Sequence, residues 1–308
     1  MPVLYLPNSF SDNFGDPIQK VFNLVNDINS ISGDEPIILN YDNARFTHPF
    51  FSMAIPLIIK QNERIGRVVE LQHNFSRQLT KEYMKHINFP KGIDPGILPQ
   101  GRFPEYLAAF RTKTYLPIIN FPTGDGYEIT QVRDHFLSAI NQLLMEICGL
   151  KSHMTTALMY LIDEAVNNVL HHAHDDKGYL LAQFYQSKGY IDIVIADIGR
   201  TLLESYQSLE RYQMILSNKD AMEAALAGKS TKSGSVDRGF GISTSKDMLT
   251  KGLNGKYFLW SGNVINIHTS ERNEVVDLSE TINWQGVYLC LRIPVVSKPG
   301  FNPYDYIS

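Results

Sequence analysis

The clearest periodicity in the chain lies in its back half. Over residues 129–148, apolar positions fall at helical spacing (Val132, Phe136, Ile140, Leu143, Leu144, Ile147), and Gly149 is placed to end that helix. Over residues 155–172, Leu158, Leu161, Ile162, Ala165, Val166, Val169 and Leu170 make a wide stripe, which predicts a second helix with one face buried. Two apolar runs, 179–185 and 190–196, predict strands joined through the Ser187-Lys188-Gly189 turn. A long polar segment, 200–238, precedes a helix starting near Ile242 and further strands that end over 286–295. The order helix, helix, strand, strand, loop, helix, strands predicts helices packed on one face of a mixed sheet.

The front half is less regular. Residues 35–39 (EPIIL) read as a short buried strand, 50–59 as an apolar helix and 67–71 (RVVEL) as another strand, which together suggest a small α/β unit. Residues 91–123 are rich in Pro and Gly, marking loops and a domain boundary. An apolar share of 44% with 19% charged residues is that of a globular chain, so cores in both halves are expected. The net charge of -4 gives no general attraction to nucleic acid or to an anionic membrane, and neither is expected as a partner. Cys148 and Cys290 sit far apart in apolar surroundings and read as core thiols, which suits a reducing cytoplasm. The N-terminus lacks a basic start followed by a long apolar run, so no signal peptide is expected. The longest apolar stretch, 50–59, contains Ser52 and Pro56 and falls far short of the ~20 residues of a membrane helix. A cytoplasmic protein is the expectation.

Three local features carry chemistry. Glu164 and Asn168 are four apart on the second helix and share a face, where a carboxylate can polarise water and an amide oxygen can serve Mg²⁺. The strand IDIVIAD ends in Asp197, followed by Ile198-Gly199, at the kind of strand terminus where α/β proteins place ligands. Arg238-Gly239-Phe240-Gly241 opens a helix, whose free amides favour phosphate. Taken singly, each also reads as ordinary structure: a solvated helix face, a strand-ending turn, a glycine loop.

Their order resembles the N, G1 and G2 boxes of the GHKL superfamily of ATPases, which covers sensor histidine kinases, anti-sigma-factor serine kinases, gyrase-type ATPases and heat-shock chaperones. LIDEAVNNVLHHAH is similar to the E-A-x-x-N-x-x-x-H-A string of the kinase branches. VIADIGRT resembles the second box, STKSGSVDRGFGIS the third, and GVYLCLRIPV the closing strand. The resemblance covers residues 113–297 and implies a two-layer α/β sandwich with a mixed sheet, preceded by a smaller α/β domain (1–112) and followed by a tail (298–308). It implies ATP and Mg²⁺ as ligands. Asp197 would accept from the adenine amino group, Asn168 would hold Mg²⁺, and Glu164 would orient or deprotonate the attacking group. His171 or His172 could reach a phosphate. Gly199, Thr201, Thr231, Lys232, Arg238, Gly239, Phe240 and Gly241 would complete the nucleotide site, with Lys232 and Arg238 facing the β- or γ-phosphate. The usual second glycine of the G1 box is Thr201 here, and the closing-strand threonine is Val287.

His73, followed by Asn74 rather than an acid, reads as a structural histidine rather than a phosphoacceptor. In the front half, Asp42, Phe46, His48, Pro49 and Phe50 resemble a STAS-type segment, and STAS domains are partners of anti-sigma-factor kinases. The function these resemblances imply is an ATP-dependent protein kinase or ATPase in bacterial signalling. The alternative is a nucleotide-gated switch with little turnover. Either would act on a protein partner, a STAS-type or sigma-factor regulator among them, and a homodimer is left open.

Overall fold

The computed structural model describes residues 1–8, 11–33, 35–99, 101–172, 177–229, 246–295, 301–302 and 305–306, without the side chains of His153 and His172. The front part is a parallel three-stranded sheet in the order β1 (Val3–Tyr5), β2 (Ile37–Asn40), β3 (Val69–Gln72). Helix α1 (Gly15–Ser30) links the first two strands; α2 (Pro49–Ser52) and α3 (Ala54–Arg64) link the second and third. Right-handed crossovers in one direction along a sheet set their helices on the same face. Helix α1 carries Asp16 in its first turn and buries Ile18, Val21, Phe22, Val25 and Ile28, a helical spacing. Helices α4 (Gln78–His86) and α5 (Arg102–Ala108) lead out of this unit.

The second sheet has seven strands: β4 (Tyr115–Pro122), β5 (Lys177–Tyr185), β6 (Tyr190–Asp197), β7 (Lys256–Gly262), β8 (Val264–His268), β9 (Asn273–Asp277) and β10 (Trp284–Pro294). Their order is β4-β5-β6-β10-β7-β8-β9, and every neighbouring pair is antiparallel. The mixed sheet expected from sequence is thus corrected: this sheet is antiparallel throughout, because hairpins and the return of β10, rather than parallel crossovers, set most of its neighbours. Tight connections join β5 to β6, β7 to β8 and β8 to β9, and β10 returns between β6 and β7 running against both.

Two stretches read as loop are structured. Residues 91–123 contain α5 and β4. Strand β4 lies at the sheet edge, where Pro117 and Pro122 remove no inner ladder bond, and its register shifts between Leu116 and Ile119 to admit Pro117. The polar segment after residue 200 forms α8 (Leu202–Gln207) and α9 (Asn218–Leu226). The helix expected from Ile242 begins outside the described residues; a wide i→i+5 turn over Met248–Gly252 follows.

Both faces of the large sheet are covered. Helix α6 (Tyr127–Gln142), continued by a wide turn over Leu143–Ile147, and α7 (Ser152–His172) lie on one face, where Leu158, Ile162 and Val166 join Ile191, Ile193 and Ile195 of β6. On the other face the front unit packs: Phe22, Ile28 and Phe50 share a core with Val194, Trp260 and Tyr288. Cys290 is buried in that second core, as expected. Cys148 is only half-buried, and burial pushes its thiol up to about 12. No helix among the described residues is long and apolar enough to cross a membrane.

Polar groups fix the front unit to the sheet. Arg292 on β10 donates two bonds of 2.8 Å to the two oxygens of Asp192 on β6, both residues being buried. His48, the N-cap of α2, accepts at Nδ1 from the Phe50 amide (3.2 Å), so its Nε2 carries the hydrogen, 3.0 Å from Asp192 Oδ2. Burial holds His48 below its ordinary value of 6.5, against the pull of Asp192. Arg292 also donates to the Asp12 carbonyl (2.6 Å) and lies over the Tyr190 ring. His48 thus serves the seam between the two parts.

Removing one partner of a buried pair strands the other charge. Asp192→Ala is expected to lower unfolding stability by about 3–5 kcal/mol. The double change Asp192→Leu/Arg292→Met is expected to cost less than that single change. Urea denaturation midpoints of the three proteins check the order.

Candidate functional site

Helix α7 buries its apolar stripe and turns a polar one outward. By helical spacing Tyr160, Glu164, Asn168 and His171 share that outer stripe. Glu164 and Asn168 are each half-buried at its margin. Within the described residues no hydrogen bond engages either side chain. Their neighbour Asn167 differs: its Oδ1 accepts from Arg133 of α6 at 2.9 Å, which spends that amide on helix packing. Burial, with Glu164 and Asp163 adding negative charge nearby, raises the Tyr160 phenol above its ordinary range. His171 is exposed, with Nδ1 3.3 Å from the Asp125 carboxylate in the loop before α6.

Asp197 ends β6. Ile191, Ile193 and Ile195 face α6 and α7, so strand alternation turns the Asp197 side chain to the sheet face that α7 covers. The residue is 1% exposed. Its Oδ1 accepts from the Gly199 amide at 2.9 Å, and its carbonyl accepts from Trp284 Nε1 at 3.2 Å. Gly286, at the start of the closing strand, has φ +92°, and a Cβ there would lie 2.5 Å from both the carbonyl oxygen and Oδ1 of Asp197. Gly286 thus lets the strand pass directly beneath the carboxylate. In the sequence Gly286 shows only as the glycine that opens the apolar run 286–295.

Thr201, in the place of the usual glycine, caps α8. Its hydroxyl accepts from the Glu204 amide (3.2 Å), and its own amide donates to Glu204 Oε2 (2.7 Å), a reciprocal capping box. The Leu202 amide donates to Ser261 Oγ, which donates on to the Gly286 carbonyl at 2.7 Å. The residue expected to touch nucleotide therefore anchors the start of the segment that follows the site. Thr231, Lys232, Arg238, Gly239, Phe240 and Gly241 lie outside the described residues, as does the side chain of His172. His73 is exposed at the end of β3, its ring against Phe75 and Phe89.

Among the described residues no three His, Cys, Asp or Glu side chains converge as a metal cluster. The Asn168 amide oxygen, unengaged beside a carboxylate, fits a hard cation that takes its remaining ligands from water and phosphate. No protein-family model matches the chain, and comparison with curated proteins and with solved structures gave no match either.

An alanine at Gly286 meets both a left-handed backbone and two oxygens of Asp197. Gly189 has φ +69° with only Val295 nearby, at 3.9 Å. Gly189→Ala is expected to cost the backbone term of about 1–2 kcal/mol. Gly286→Ala should cost a further ~1–3 kcal/mol for overpacking. Thermal unfolding of the two variants separates the terms.

Proposed function

We propose that the face shared by α7 and the end of β6 binds ATP with Mg²⁺, and that the chain is a nucleotide-dependent regulator of the GHKL type. The observation that carries this reading is a buried Asp197 at the end of β6, on the sheet face that α7 covers, with Glu164 and Asn168 of α7 not hydrogen-bonded among the described residues. A buried carboxylate oriented by the Gly199 amide is suited to accept the exocyclic N–H of adenine, a donor that guanine lacks at that position. Mg²⁺ bound with the nucleotide neutralises phosphate charge. Asn168 offers that ion an amide oxygen. Glu164, one turn away, is placed to orient or deprotonate an attacking water or hydroxyl. In this reading the activity is that of a protein kinase or ATPase acting in signalling, with a STAS-type or sigma-factor regulator as partner.

A second reading, a nucleotide-gated switch with little turnover, draws on Thr201. A capping box ties the start of α8 to Gln285, whose side chain donates to Glu204 Oε2 at 2.9 Å. A segment fastened there suits a device that reports nucleotide more than one that cycles it.

Calorimetric titration with Mg-ATP tests both. Binding by the wild type and its loss in Asp197→Asn are expected, with intrinsic fluorescence as a second signal, because the chain's two tryptophans, Trp260 and Trp284, pack with ring centres 5.2 Å apart and Trp284 Nε1 donates to the Asp197 carbonyl. Wild type that takes up no nucleotide would overturn the proposal. Phosphate release abolished by Glu164→Ala selects the enzyme; tight binding without release selects the switch.

A further inference from the structure

The last turn of α3, in the front unit, reaches the loop that follows Asp197. Arg64 Nη1 donates to the Ile198 carbonyl at 2.5 Å. Gln61 Nε2 donates to the Gln285 carbonyl at 2.9 Å. Gln285 in turn donates through Nε2 to the Gly199 carbonyl (2.7 Å) and to Glu204 Oε2 (2.9 Å). The carbonyls of both residues that follow Asp197 are thus held by side chains. One is gripped by the front unit directly, the other through a glutamine that the front unit grips. The Ile198 side chain is itself buried in the core shared with the front unit. One residue earlier on α3, Lys60 donates to the Tyr179 hydroxyl at 2.9 Å, and Tyr179 follows Gly178, the ladder partner of Asp197.

From this we infer that Arg64 and Gln61 are positioning residues for the nucleotide site, through which the front unit sets the affinity and base selectivity of Asp197. The inference rests on the ATP reading above. A carboxylate that must meet one donor needs its backbone held within a fraction of an ångström. Here the restraint comes from another part of the fold, across a seam. The guanidinium-to-carbonyl bond is charge-assisted and the stronger of the two grips. Glu204, which also accepts from Gln285, is the N3 residue of the capping box of α8, so a shift of α3 moves the loop after Asp197 and the segment beyond it together. Coupling of this kind is reciprocal: whatever displaces α3 weakens nucleotide, and nucleotide resists that displacement.

The test measures dissociation constants for Mg-ATP and Mg-GTP on the full chain, below the melting range of every variant, as verified by circular dichroism. Arg64→Ala and Gln61→Glu, the latter setting two acceptors face to face, are expected to weaken Mg-ATP on the order of 10-fold and to narrow the ATP-to-GTP ratio. Arg64→Lys, which keeps a charged donor, should recover part of the loss. Lys188→Ala removes the Lys188–Asp12 ion pair, another front-unit contact at the opposite end of β6, and should leave both constants unchanged. If the wild type binds neither nucleotide, the ATP reading falls and this inference with it. If Asp197→Asn loses Mg-ATP while Arg64→Ala and Gln61→Glu keep wild-type constants, the positioning role alone is overturned. An equal effect of Lys188→Ala also overturns it, because general loosening of the seam would then account for the change.

Discussion

A sheet whose central strands are apolar on both faces must be covered twice, and this requirement organises the molecule. Strands β6 and β10 alternate Ile191, Ile193 and Ile195, or Leu289, Leu291 and Ile293, toward α6 and α7. They turn Val194 and Ala196, or Tyr288 and Cys290, to the other side. An antiparallel sheet in a two-layer fold leaves one face to solvent, and there the strands read as apolar–polar alternation. Here they do not, and the front unit supplies the missing layer. Burying a large side chain fully stabilises by about 1.5–3 kcal/mol, so a face containing Trp260, Trp284 and Tyr288 would be costly to expose.

Within that largely apolar seam lies the buried Asp192–Arg292 pair, with His48 against it. Two opposed charges in a dry interface gain little net stability, yet each is intolerable without the other. The pair reaches the front unit through His48 and the Asp12 carbonyl, and these contacts align the two parts. A front unit displaced by a residue or two would leave that cross-strand pair in place but take His48 from Asp192 and the Asp12 carbonyl from Arg292. The same seam, at the other end of β6, holds Arg64 and Gln61 against the loop after Asp197. Front-unit packing and site geometry are consequently one problem.

The candidate site is built from small decisions of local geometry. Strand parity turns Asp197 to the sheet face that α7 covers; helix parity keeps Glu164 and Asn168 off the buried stripe of α7. Of two adjacent asparagines, Arg133 occupies Asn167 and leaves Asn168 unengaged among the described residues. Gly286 gives the closing strand its close passage, and Thr201 ends the loop by starting a helix.

The residue pattern alone was enough for α7, β5, β6 and β10, since a wide apolar stripe or an unbroken apolar run admits few other burials. The Glu164/Asn168 spacing and the acid closing β6 were equally legible, because periodicity fixes which residues share a face. Other features were signalled but overridden. Pro117 and Pro122 argued for a loop where an edge strand tolerates them, and Thr201-x-x-Glu204, a readable capping box, was absorbed into a glycine motif. The remainder has no local signature. That the sheet is antiparallel throughout, that its second face is covered by the first 72 residues, that Gly286 lies under Asp197 and that Arg64 grips Ile198 all depend on which elements become neighbours. Arg64 and Ile198 are 134 positions apart in sequence, and nothing in either segment records the other. Local pattern sets the faces an element presents; only the packed chain decides what each face meets.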